Sequence, residues 1–424
     1  MTELIQPVKG MNDVLAGQAP WWNRLESVVA TLLERYGYER VRLPVLERTE
    51  LFKRSIGELT DIVQKEMFTF DDHGDLLTLR PEATAGVVRA ALSNGLLHNQ
   101  QQKLWCAGPM FRRERPQKGR YRQFHQVSVE ALGFAEPEVD AELIAISARL
   151  WRELGIASVK LEINTIGTTE SRQAYKQELV EYFGKHRARL DEDSVRRLEG
   201  NPLRILDSKN PAMRELIDAA PLLSTHLDAE SRAHFERVQA LLTDVDIAFT
   251  INPRLVRGLD YYSRTVFEWL TDKLGAQNAV CSGGRYDGLV EQLGGPATPA
   301  VGWALGVERI VELMVAEGNA VSPPPFDAYL VAVGDAERHF GFKLVEELRN
   351  RLPGLKVSLG GPAVGFKAQL RKADKSGARF ALIVGEAELA AGKVSLKSLR
   401  EDAPQRLVTV AECVAALGQT RTPA

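Results

Sequence analysis

Gly108-Pro-Met-Phe-Arg-Arg-Glu-Arg-Pro-Gln-Lys-Gly-Arg-Tyr-Arg-Gln-Phe124 crowds Arg112, Arg113, Arg115, Lys118, Arg120 and Arg122 around a single acid, Glu114. Gly108, Pro109, Pro116 and Gly119 forbid a continuous helix through it. Its flanks, Leu104-Trp-Cys-Ala107 and Gln126-Val-Ser-Val-Glu130, are short and apolar-rich, so the stretch reads as strand, long basic loop and antiparallel strand. Guanidinium forks bind phosphate bidentately and keep their charge at physiological pH, which suits a nucleoside triphosphate. A solvated hairpin loop or a nonspecific nucleic-acid patch would carry the same charge, so other segments have to decide.

Upstream, Trp21, Leu25, Val28, Val29, Leu32, Leu33 and Tyr36 recur at helical spacing between Pro20 and Gly37, which predicts an amphipathic helix over Pro20 to Tyr36. Val41, Leu43 and Val45 then alternate with Arg40 and Arg42, predicting a half-buried strand over Glu39 to Val45 whose Pro44 belongs at an edge. The later strand candidates up to Gly306 are joined by hairpin-like loops as well as helices, which favours an antiparallel sheet. Glu170 to Asp246 turns to charged helix, including Asp228 to Leu242 capped by Asp228 with Phe235, Val238, Leu241 and Leu242 on one face. It reads as an inserted helical module.

Ser322-Pro-Pro-Pro325 is a stiff linker and marks a domain boundary. Beyond it, Ala328 to Val333, Lys356 to Leu359 and Phe380 to Val384 are apolar strands separated by helical stretches, predicting a small parallel α/β domain. Lys367, Arg371, Lys372, Lys375 and Arg379 gather around one of its helices, as a nucleic-acid face or a solvated surface would.

A chain of 424 residues holds two or three domains, and a net charge of -2 leaves any nucleic acid to local patches. Cys106, Cys281 and Cys413 are too scattered for a zinc site or a disulfide framework, which fits a reducing cytosol. No apolar leader and no run long enough to cross a bilayer is found, so a soluble, untargeted protein is expected.

Four further segments carry chemistry. Thr78-Leu-Arg-Pro-Glu-Ala-Thr-Ala-Gly86 offers Glu82 and Thr84 after a probable strand, where an acid can grip an ammonium or Thr84 can cap a helix. Arg257-Gly-Leu-Asp-Tyr-Tyr262 packs a cation, a carboxylate and two phenols, and an arginine held by a neighbouring acid can stabilise charge on a phosphate. Ser282-Gly-Gly-Arg-Tyr-Asp-Gly288 has glycines that let backbone approach a ligand, or simply turn. Val301-Gly-Trp-Ala-Leu-Gly-Val-Glu-Arg309 reads as a strand entering a helix whose first turn presents Arg309. Neither a Walker A loop nor a dinucleotide fingerprint is present, and His125 has no nucleophile partner, so it reads as structural.

Together these segments resemble the three signatures of the class II aminoacyl-tRNA synthetases. The signatures fall on the helix and strand ending at Pro44, on Phe111-Arg-Arg-Glu114 with its loop, and on Gly302 to Arg309. Leu79-Arg-Pro-Glu82, Arg257 to Tyr262, Gly283 to Gly288 and Asn201 to Pro211 are similar to segments of the histidine-specific family. Ala83 and Ala304 depart from its usual glycines.

The resemblance implies an α+β fold: an antiparallel-sheet catalytic domain over residues 1–325 with a helical insertion at about 170–246, then an α/β anticodon-binding domain over 326–424. It further implies histidine activation by ATP to an adenylate, followed by transfer to tRNA, with Mg²⁺ accompanying ATP and no tightly bound cofactor or metal site. Arg112 and Arg257 would act on the α-phosphate, Glu114 on adenine, Arg120 on the outer phosphates, and Arg309 on the γ-phosphate and adenine face. Glu82 and Gln126, with Thr84 nearby, would bind the amino group. Glu130 and Tyr262 would flank the imidazole, and Tyr261 and Tyr286 would wall the pocket. A cytoplasmic homodimer binding L-histidine, ATP and histidine tRNA, with no membrane, is expected. An inactive synthetase-like regulatory subunit of ATP phosphoribosyltransferase is the alternative, and the retained Arg112, Arg257, Arg309 and C-terminal domain weigh against it. A class II enzyme for another amino acid is a second, opposed by Glu130 and the two tyrosines.

Overall fold

The computed structural model describes residues 4–318, 326–360 and 365–419 except 59, 118, 207, 209, 276 and 277. Lys118 and the proline linker therefore lie outside the described residues. The chain forms two compact units, Met1–Val321 and Ser322–Ala424.

The first unit opens with α1 (Ala19–Arg35), whose Leu25, Val28, Val29, Leu32 and Leu33 are buried as their spacing requires. Each such side chain stabilises the fold by about 1.5–3 kcal/mol. The strand expected after it is cut short: β1 is only Glu39–Arg40, and the Val41 amide adds one more bond to Trp105 at 2.8 Å. Beyond that the chain leaves the sheet because Arg80 takes its carbonyls, donating to Leu43 at 3.2 Å and Pro44 at 3.4 Å. There follow β2 (Leu46–Arg48), α2 (Thr49–Ile56), β3 (Phe68–Asp72), β4 (Asp75–Leu79), α3 (Thr84–Ser93), β5 (Gln102–Phe111), β6 (Gln123–Leu132), α4 (Pro137–Leu154) and β7 (Lys160–Thr165). Then come α5 (Thr169–Lys185), α6 (Glu192–Glu199), α7 (Arg214–Asp218), α8 (Ala229–Asp244), β8 (Thr250–Ile251), β9 (Ser263–Leu270), β10 (Ala279–Arg285), α9 (Leu289–Gln292), β11 (Ala300–Gly306) and α10 (Val307–Ala316).

Eight strands form one sheet in the order β1-β5-β6-β11-β10-β9-β7-β8. Its six central strands are antiparallel throughout, and only the two-residue edges pair parallel. β5 and β6 are each ten residues long, so Gly108 and Pro109 lie inside a strand and the basic loop starts only at Arg112.

The segment from about 170 to 246 is helical, and the Asp228 carboxylate accepts the Ser231 amide at 2.7 Å to cap α8 as expected. It is not a detached module. Phe235, Val238 and Leu242 of α8 join the core under the sheet, and Tyr175, Leu179 and Phe183 of α5 join the cluster that also holds Tyr261, Tyr262 and Tyr286. An amphipathic helix is stabilised by the surface it covers, and here that surface belongs to the sheet and the site.

The second unit holds β12 (Ala328–Ala332), α11 (Asp335–Arg351), β13 (Val357–Leu359), α12 (Phe366–Lys375), β14 (Phe380–Val384), α13 (Glu386–Ala391), β15 (Val394–Ser398), β16 (Arg406–Val408) and α14 (Val410–Gln419). Its order is β13-β12-β14-β15-β16, with the first three strands parallel and the last two antiparallel. The expected parallel sheet is thus mixed, because β15 and β16 add antiparallel to its edge beside β14. Lys367, Arg371, Lys372 and Lys375 are exposed on α12. Among the described residues, no helix is long and apolar enough to cross a membrane.

Candidate active site

A cavity of about 280 Å³ opens on one face of the large sheet, floored by residues of β6, β11, β10 and β9. Register explains the floor: Ala304, Ser282 and Glu268 stand directly opposite one another on β11, β10 and β9, and Gln126 of β6 stands opposite Gly306 of β11. Directly paired residues project to the same face.

The phosphate-binding candidates gather in its wall. Arg112, Glu114, Arg120, Arg257 and Arg309 all line it. Arg112, just past the end of β5, donates its Nε to the Pro81 carbonyl at 2.9 Å and lies 5.2 Å from the Phe124 ring centroid. Arg309, in the first turn of α10, donates its Nε to the Gly119 carbonyl at 3.0 Å, tying the loop tip to the helix. Burial pulls the Arg309 pKa below the usual arginine range. Arg120 is ion-paired with Glu114. Glu66, two residues before β3, has its carboxyl pushed up by burial and by Glu114, and its backbone oxygen accepts the Arg113 amide at 2.6 Å.

Arg257 is held by an acid, though not by its sequence neighbour. Its Nη1 donates to Glu268 at 2.8 Å and its Nη2 to the Ser282 hydroxyl at 2.7 Å. Asp260 faces the other way and accepts from Asn201 at 2.8 Å. Glu268 and Ser282 were missed in the sequence because only strand register brings β9 and β10 beside Arg257. The signal available was a lone acid within the apolar run of β9.

The amino-acid candidates form two layers. Glu82, Thr84, Gln126, Tyr261 and Tyr262 line the cavity. Glu82 accepts the amides of Thr84 at 2.6 Å and Ala85 at 3.0 Å, so this acid, and not Thr84, caps α3. Burial drives the Glu82 carboxyl up, and the two amides with Arg112 act against the rise. Among the described residues, the buried Gln126 side-chain oxygen has no hydrogen-bond partner. A buried acceptor in a cavity wall is suited to an incoming N–H donor.

Glu130 and Tyr286 lie one layer behind. Glu130 accepts the hydroxyls of Thr84 and Ser128, each at 2.7 Å, and that of Tyr286. Burial pushes its carboxyl up to about 7 despite these bonds. Gly302 makes room for it, since a β-carbon there would collide with the Glu130 carboxylate. Tyr261 packs against Tyr286 with centroids 5.5 Å apart.

The Gly283-Gly284 pair allows two readings, a close approach to a ligand or a simple turn. Instead, a β-carbon on either residue would strike a neighbouring strand, so these glycines serve strand packing. Arg285 beside them is buried in an ion pair with Asp140 of α4. His125 pairs with Glu308 at 2.9 Å, which agrees with a structural histidine, though Glu308 itself lines the cavity.

An antiparallel sheet carrying arginines and an acid-and-phenol pocket in one cavity, followed by an α/β unit, has the class II aminoacyl-tRNA synthetase architecture. Models of known families match two stretches: histidyl-tRNA synthetase over residues 10–310 and an anticodon binding domain over 327–420. The chain is 56% identical to histidine–tRNA ligase of Nitrosomonas europaea over 99% of its own length and 100% of the relative's. It is also 56% identical to that of Halorhodospira halophila over 95% of each. The crystal structure of apo S. aureus histidyl-tRNA synthetase superposes with a TM-score of 0.82 at 34% identity, over 98% of this chain and all of that one. The chain belongs to the histidyl-tRNA synthetase family.

Proposed function

We propose that the cavity joins the carboxylate of L-histidine to the α-phosphorus of ATP, releasing pyrophosphate, and then passes the histidyl group to a hydroxyl of the 3′-terminal adenosine of histidine tRNA, releasing AMP. What carries this reading is the meeting of Arg112, Arg257 and Arg309 with Glu82, Gln126 and Tyr262 in one cavity. Fixed guanidinium groups stabilise charge developing on phosphate oxygens in both steps, and their worth rises where water is excluded. ATP enters with Mg²⁺ as part of the substrate. Glu82 and Gln126 take the ammonium, and Arg112 and Arg257 take the α-phosphate. Glu114 takes adenine, Arg120 the outer phosphates, and Arg309 the γ-phosphate and adenine face. Tyr261 and Tyr262 face the imidazole pocket, while Glu130 and Tyr286, one layer behind its wall, act on it through the Thr84 hydroxyl and the Tyr261 ring. A neutral imidazole has one donor and one acceptor, so a side chain lacking either leaves buried polar groups unpaired.

Residues 1–325, including the insertion at about 170–246, act as the catalytic domain, and 326–424 read the anticodon. The family match over 327–420 and the three cavity arginines weigh against an inactive regulatory subunit. The protein works as a cytoplasmic homodimer. Leu4, Ile5, Val8 and Leu15, which precede α1 in the chain, are exposed apolar side chains available to a partner surface. ATP–pyrophosphate exchange with each of the twenty amino acids tests the activity: exchange with histidine alone is expected, and exchange absent or favouring another amino acid refutes it. Truncation after Pro325 should leave exchange largely intact while tRNA charging falls steeply. Sedimentation should give a dimer at micromolar concentration.

A further inference from the structure

Arg257 reaches the cavity from an irregular segment between β8 and β9, and such segments hold a long side chain poorly by themselves. Two groups of the rigid sheet fix it. Glu268 of β9 and Ser282 of β10 are direct cross-strand partners, and each accepts from a different terminal nitrogen of Arg257, at 2.8 and 2.7 Å. The guanidinium also lies 5.7 Å from the Tyr262 ring centroid. Two bonds from adjacent strands set both the position and the plane of the fork, which a single bond would leave free to rotate.

Glu268 and Ser282 line the same cavity as Arg257, so the pair faces the place where phosphate is expected. A carboxylate there is unfavourable for a polyanion unless a cation covers it. Its presence therefore needs an explanation beyond packing, and holding Arg257 supplies one.

We infer that Glu268, assisted by Ser282, is a positioning residue that orients Arg257 for the transition state of histidine activation. The inference rests on the assignment of Arg257 to the α-phosphate. The carboxylate acts through the arginine: it aligns the fork before charge develops, so its loss is felt in rate. It does not aid nucleotide binding, and removing its negative charge leaves ATP affinity unchanged or slightly tighter.

The test is a double-mutant cycle on the full-length protein, using Glu268→Gln, Arg257→Ala and both together. Single-turnover adenylate formation and ATP binding are measured for each. Glu268→Gln is nearly isosteric and is expected to slow adenylate formation about 10-fold with ATP affinity no weaker, and Ser282→Ala to slow it less. In the double variant the rate should match that of Arg257→Ala alone, because a residue that acts through Arg257 has nothing left to orient. Multiplicative losses, or a Glu268→Gln rate within about 2-fold of the parent, would overturn the positioning role. So would recovery of the Glu268→Gln rate at high Mg²⁺, which would make the carboxylate a partner of the metal carried by ATP. If Arg257→Ala itself loses affinity and not rate, the assignment of Arg257 fails, an outcome separate from failure of the cycle.

Discussion

Arg120 and Glu114 are ion-paired across the basic loop, although each belongs to the set expected to hold ATP. The Glu114 side chain is 9% exposed and that of Arg120 39%. The loop thus presents a closed pair, which nucleotide would have to open under the proposed assignment. A half-exposed pair of this kind contributes at most about 1 kcal/mol to stability. Arg120→Ala should leave the thermal midpoint nearly unchanged and raise the KM for ATP about 10-fold, the loss of one charge-assisted contact. Pyrophosphate exchange at varied ATP checks it, and an unchanged KM would remove Arg120 from the site.

Arg257 should behave differently, because its worth lies in the transition state. Arg257→Ala is expected to slow histidyl-adenylate formation by roughly 10²-fold or more, as loss of one preorganised donor does, with much smaller changes in histidine and ATP affinity. Arg257→Lys should recover little. An ammonium cannot bond Glu268 and Ser282 at once with the geometry of a planar fork. Normal chemistry with weakened ATP affinity would make Arg257 a ground-state anchor.

Glu130 makes stability depend on pH. Its carboxyl lies near 7 in the folded protein against an ordinary 4.5. Between those values the native state keeps a proton that the unfolded chain releases. The contribution is therefore fully present below about pH 4.5 and is lost as pH rises through about 7. Glu130→Gln, which cannot ionise, should gain thermal stability relative to the parent on going from pH 5 to pH 8. A pH-independent difference between the two melting curves would rule out the elevated carboxyl.

Asp140 and Arg285 form a pair with both side chains 1% exposed. Arg285 also donates to the Phe134 carbonyl at 2.7 Å. Burial acts to raise the Asp140 pKa, but the His234 ring nitrogen 3.3 Å away and the Arg285 guanidinium together hold it below the usual carboxylate value. Asp140→Asn removes the more buried of the two carboxylates on Arg285, leaving Asp287 at 3.2 Å, and should destabilise the first unit by up to about 3–5 kcal/mol. Urea unfolding measures it, and a loss below about 1 kcal/mol would mean that Asp287 and the backbone acceptors suffice.

The sequence by itself determined the elements whose pattern is local. The spacing from Leu25 to Leu33 specifies α1, the Asp228 cap starts α8, and the charge and the Pro and Gly of Arg112 to Arg122 mark a basic loop between two strands. Side-chain type within one turn or one hairpin governs each of these. The family resemblance rested on such local runs, and with them most residues of the candidate site were named. What only the tertiary structure decided was which distant groups meet. Arg80 draws Leu43 and Pro44 out of the sheet, Glu268 replaces Asp260 as the acid on Arg257, and Tyr286 with Gly302 sets Glu130 one layer behind the cavity wall. Each depends on strand register, where a shift of one residue turns every side chain to the opposite face. That register is fixed by packing across the whole sheet, and no single stretch of the chain encodes it.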